Sequence, residues 1–117
     1  MRNNAAAEAL LLTRQQRDVV AGAVKETCKL RGYSLLAQNI RTNHGHVVAA
    51  SSQHPDKLLN AFKSNATRAL RQHGLMSPGR RVWARGGSTR YLWKPTHLNG
   101  AIDYVLYGQG DDIPPYW

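Results

Sequence analysis

Three stretches of the chain place apolar residues at helical spacing. In the first, Val19, Val20, Ala23, Val24, Thr27 and Cys28 form one stripe, because positions three and four apart share a helix face. Ahead of the stripe stand Thr13 and, three residues on, Gln16. This is the pattern of a capping box, in which two side chains satisfy backbone N–H groups left over at a helix start. Gly32 suits the left-handed conformation that closes helices, so the spacing predicts a helix over residues 14–31. A second stripe of Leu58, Leu59, Phe62, Ala66, Ala69 and Leu70 opens at Pro55-Asp56 and closes at Gly74. Its other face carries Lys57, Lys63, Arg68 and Arg71. A third, with Leu98, Ala101, Ile102 and Val105, starts at Pro95-Thr96 and ends at Gly108.

Between the first two helices the pattern changes. Tyr33 to Ile40, with Leu35 and Leu36 at its centre, and His46 to Ser51 read as strands. The link between them, around Arg41-Thr42-Asn43, is short and polar, which predicts an antiparallel hairpin. Beyond the loop Ser77-Pro78-Gly79, the segments Arg81 to Arg85 and Ser88 to Trp93 read as a second hairpin around Gly86-Gly87. Residues 1–11 lack a strong pattern and are expected to be a flexible lead-in. Residues 12–112 are expected to form the domain, and 113–117 a tail. The order of elements predicts an α+β fold with an antiparallel sheet and helices on one face. This is a ferredoxin-like layout lacking its opening strand.

Composition narrows the class. A chain of 117 residues, 42% of them hydrophobic, can build one domain with a modest core. Sixteen Lys and Arg against seven acids give a formal charge of +9, which favours polyanionic partners, nucleic acid above all. The alternative is a basic surface that only keeps the chain in solution. A single cysteine, Cys28, excludes a disulfide framework or a cysteine-based zinc motif within one chain. No apolar run approaches the roughly 18 residues of a membrane span. The apolar segment Ala5 to Leu12 lacks the flanks of a signal peptide. A cytoplasmic protein without a membrane partner is expected.

Candidate chemistry begins at His44-Gly45-His46. Residues two apart on a strand point the same way, so the two imidazoles can converge on one divalent ion. Two surface histidines beside a turn are the alternative, since so short a motif recurs by chance. Tyr104 and Tyr107 lie on the last helix, Tyr104 on the flank of its apolar stripe and Tyr107 roughly opposite. A tyrosine hydroxyl has a pKa of about 10 and is a poor nucleophile near neutrality, but a metal that polarises a phosphodiester lessens that difficulty. Gln109 follows the helix end with an amide oxygen suited to Mg²⁺ or Mn²⁺. Arg80, Arg81, Arg85 and Arg90 alternate with Trp83, Tyr91 and Trp93 on the second hairpin. Arginines grip phosphates and aromatic rings stack on unpaired bases, although Trp83 and Trp93 also suit a core.

Three blocks resemble the single-tyrosine HUH transposases, including their REP-associated branch. They are Asn39-Ile40-Arg41-Thr42-Asn43-His44-Gly45-His46-Val47-Val48, Arg81 to Trp93, and Ala101 to Gly110. The match as a whole covers roughly residues 12–112. The resemblance implies a nickase and strand transferase acting on single-stranded DNA, often folded into hairpins, and typically a homodimer. It implies that His44, His46 and Gln109 bind Mg²⁺ or Mn²⁺ and that Tyr104 forms a 5′-phosphotyrosine linkage. Arg41, Asn43, Lys63, Arg80, Arg81, Arg85 and Arg90 are the expected DNA contacts. Gly45 stands where the family has a bulky hydrophobic residue, and glycine weakens a strand interior. Gln109 follows Tyr104 by five residues rather than four. The competing readings are a relative that binds DNA hairpins without catalysis, and a small basic RNA-binding α+β module.

Overall fold

The computed structural model describes residues 11–42, 44–77 and 95–107, with side chains from residue 98 in the last segment. In chain order these form α1 (Arg14–Arg31), β1 (Ser34–Ile40), β2 (Gly45–Ala50), α2 (Pro55–Gln72) and α3 (Pro95–Leu106). The predicted α+β class is observed. The second hairpin, the lead-in before residue 11 and the tail lie outside the described residues.

The capping box of α1 is formed in both directions. The Gln16 N–H donates to Thr13 Oγ1 at 3.1 Å, and the Thr13 N–H donates to Gln16 Oε1 at 2.8 Å. The Gln16 amide nitrogen also donates to the Leu75 carbonyl at 2.7 Å, so the same side chain ties the start of α1 to the segment after α2. At the other end Gly32 has φ +74°, a conformation that costs glycine least. The helix α2 starts with Pro55 behind His54, whose Nδ1 accepts from the Asp56 N–H.

β1 and β2 form an antiparallel two-stranded sheet in which Ser34 pairs with Ala50, Asn39 with His46 and Ile40 with Gly45. The register shifts between Leu35 and Ala37, which pair with the adjacent residues Ala49 and Val48. Leu36 is therefore the extra residue of a β-bulge. The bulge changes which layer each part of β1 serves. Leu35, Val47 and Ala49 pack with Val24 and Cys28 of α1 and with Leu58 and Phe62 of α2. Ala37 and Val48 pack with Ala101 and Val105 of α3. Val47 and Val48 are neighbours on one strand and so face opposite ways.

The described helices thus lie on both sides of the hairpin, not on one side as the element order suggested. α1 and α2 cover one face and α3 the other. Alternating burial on β2 allows this, because both faces of the strand carry a valine. The layer of α1 and α2 is fastened by apolar packing of Val20 with Ala66 and Leu70 and by one buried polar link. Thr27, 2% exposed, donates to the Ala23 carbonyl at 2.7 Å and accepts from Asn65 Nδ2 at 2.9 Å. A hydroxyl this deep is tolerated because it is bonded on both sides.

Candidate functional site

The sheet face under α3 gathers the candidate residues His46 and Tyr104. On β2, His46 shares this face with Val48. On β1, Asn39 is its cross-strand partner. The hairpin tip is held by two backbone bonds, from the Arg41 N–H to the His44 carbonyl at 2.8 Å and from the Leu12 N–H to the Thr42 carbonyl at 2.7 Å. The second bond fixes the chain entering α1 against the tip.

Three aromatic rings adjoin one another here. The His44 and His46 ring centres are 5.2 Å apart at an interplanar angle of 66°. The His46 and Tyr104 ring centres are 5.6 Å apart at 69°. His44 is exposed and His46 half-buried, while Tyr104 is 9% exposed. Tyr104 is thus deeper than a position on the flank of the stripe suggested, because α3 lies flat on Ala37 and Val48 and turns the ring toward β2. Tyr107, one turn on, is 80% exposed and points away, as its place opposite the stripe predicts.

The separation of the two imidazole rings falls in the range that ligation of one divalent ion requires. With metal–nitrogen bonds of about 2 Å, two imidazoles on one ion hold their ring centres on the order of 5 Å apart. A ligating imidazole must be neutral. Burial, and then the nearby charges of His44 and Arg41, hold the His46 pKa below its ordinary value of 6.5. Among the described residues no group of three or more His, Cys, Asp or Glu side chains is assembled. Gln109, the expected third ligand, lies outside the described residues, as do Asn43, Arg80, Arg81, Arg85 and Arg90.

Gly45 is the first residue of β2 rather than an interior one. A methyl group built on it would lie 3.0 Å from Ile40 Cδ1. Ile40 packs into the cluster of Leu12, Val20, Ala66 and Leu70, so the missing side chain accommodates a core residue on the α1 face. The two histidines flanking it belong to the other side.

Of the remaining expected DNA contacts, Arg41 is near enough to His46 to act on its charge. Lys63 is not part of this cluster. With Ser64, Thr67, Arg68, Arg71 and Gln72 it lines an open groove of about 660 Å³ on α2, across the sheet from Tyr104.

Asn39 is a site residue that pattern reading did not single out. Its Nδ2 donates to the Val105 carbonyl at 3.0 Å, joining β1 to α3 one residue beyond Tyr104. A polar residue in a half-buried strand carries no sign of such a bond.

Searches against protein-family models, curated proteins and solved structures match nothing.

Proposed function

We propose that the chain nicks single-stranded DNA and transfers the strand through a tyrosine intermediate, in the manner of the HUH transposases that its sequence resembles. The contact of His44, His46 and Tyr104 carries this reading. His46 and Tyr104 stand 58 positions apart in sequence, and the rings lie 5.6 Å apart.

In this reading His44 and His46, with Gln109 added by the resemblance, hold Mg²⁺ or Mn²⁺. The ion supplies electrophilic polarisation of the scissile phosphate. Arg41 adds positive charge at the same place. The Tyr104 hydroxyl gives up its proton and its oxygen bonds to phosphorus. The bond from phosphorus to the 3′-oxygen breaks, and that oxygen takes up a proton and leaves as a 3′-hydroxyl. The 5′-phosphate stays on the tyrosine until a second hydroxyl displaces it, so one difficult step is divided into two. The partners are single-stranded or hairpin DNA and, by the resemblance, a second copy of the chain.

The test is a denaturing gel of the protein incubated with labelled hairpin DNA carrying single-stranded flanks, with Mn²⁺. A covalent adduct that chelator or His44→Ala removes is the expected result. No adduct across a varied panel of hairpins would overturn the proposal. Binding without an adduct would support a second reading, a hairpin-binding relative without catalysis. The cationic groove on α2 favours that reading because it stands on the far side of the sheet from Tyr104.

A further inference from the structure

We infer that Asn39 is a positioning residue that sets how Tyr104 sits against His46; the inference rests on the function proposed above. Three observations converge on it. Asn39 stands directly across the hairpin from His46. Its amide nitrogen donates to the Val105 carbonyl at 3.0 Å. Val105 is the residue after Tyr104, in the last turn of α3.

The last four carbonyls of an α-helix have no partner within the helix. In α3 the Asp103 carbonyl accepts from the Tyr107 N–H at 2.8 Å. The Val105 carbonyl, in the same last turn, accepts from the Asn39 side chain of β1. Asn39 thereby ties the sheet to the last turn of α3, and one strand residue sets the height and rotation of the helix end beside the nucleophile.

Apolar packing alone would leave that end poorly defined. The α3 interface rests on Ala37, Val48, Ala101 and Val105, with Leu98 and Ile102 packed against them. Such a surface resists separation but offers little against sliding, since burial is not directional. A hydrogen bond is directional. The Asn39 bond adds a directional tie to a helix otherwise held by apolar contact. The same strand pair that presents His46 supplies that tie.

The experiment uses the full chain with Asn39→Asp and Asn39→Ala. Asp keeps the shape but replaces the donor by an acceptor facing a carbonyl. The first readout needs neither DNA nor metal. The ring current of Tyr104 displaces the His46 ring-proton resonances, and Tyr104→Leu calibrates the displacement. Both Asn39 variants are expected to lose it while keeping the far-ultraviolet circular dichroism of the parent. The second readout is adduct formation at saturating DNA, expected to fall by about 10²-fold, the effect of a displacement near 1 Å, with unchanged DNA affinity.

Retention of the His46 displacement in both variants would overturn the inference, whatever happens to stability. So would loss of the fold in both, since a bond that only positions a helix end is not needed to build the domain. Loss of the displacement in the Asn39 variants, with no adduct formed by the parent chain, would retain the positioning role and reject the nuclease reading.

Discussion

Gly45 stands directly opposite Ile40 in the hairpin, and a methyl group at position 45 would approach Ile40 Cδ1 to 3.0 Å. The glycine between the histidines therefore makes room for a core residue on the opposite sheet face. The spacing of the proposed metal ligands and core packing meet at this one pair.

The pair is expected to behave as a coupled unit. Ile40→Val removes the methyl group that a new side chain would meet, at a cost of about 0.5–1.5 kcal/mol. Gly45→Ala alone gains strand preference but crowds Ile40. The double variant should be more stable than the sum of the two changes by about 0.5 kcal/mol or more. Urea unfolding of the four proteins measures this, and additivity would show that Ile40 swings aside freely.

The two tyrosines of α3 should separate cleanly. Tyr104→Phe keeps the buried ring and removes the hydroxyl, so the covalent adduct should vanish while the fold persists. Tyr107→Phe alters a side chain 80% exposed and should leave both the adduct and stability within about 0.5 kcal/mol of the parent. An adduct that survives the first change and is lost with the second would assign the nucleophile to Tyr107.

His46 should make stability depend on pH in a defined direction. Burial and then the charges of His44 and Arg41 lower its pKa from 6.5. As pH falls below that value, the unfolded chain gains a proton that the folded chain resists. Stability is thus full above 6.5 and declines as pH drops through the lower folded-state value. Urea midpoints from about pH 7.5 to about pH 5 should fall more steeply for the parent than for His46→Gln. Equal slopes would show that the site does not disfavour the charged ring.

The α2 groove makes a prediction about salt. Each cation that neutralises a phosphate contributes about 0.7 to the slope of log affinity against log salt for single strands, and about 0.9 for duplex. Replacing Lys63, Arg68 and Arg71 together by Ala should flatten the slope by roughly 2 to 3, read by fluorescence anisotropy on hairpin DNA. An unchanged slope would exclude the groove from the DNA path.

What the sequence revealed depended on how local the signal was. Thr13, Gln16 and Gly32 act within a few residues of themselves, and α1 runs from Arg14 to Arg31 as their spacing predicts. His44 and His46 were legible because a strand's period places them together. The layering was not, because Leu35 and Leu36 are both apolar and give no sign of which one is the extra residue. Burial of Tyr104 against His46 and the bond from Asn39 to Val105 depend on contacts across 58 and 66 positions, where residue pattern is silent. The link from Gln16 to Leu75 escaped for the same reason.

The bulge at Leu36 bears on how the chain can change length. The residues on either side of it, Leu35 and Ala37, already pair with adjacent partners, Ala49 and Val48. Deleting Leu36 would join them into an uninterrupted ladder and leave every other side chain of the strand facing its present layer. Deleting Gln38 would move Asn39 to the opposite face and break the alignment with His46. Leu36 is therefore a position at which the hairpin can lose a residue without reorganising either layer.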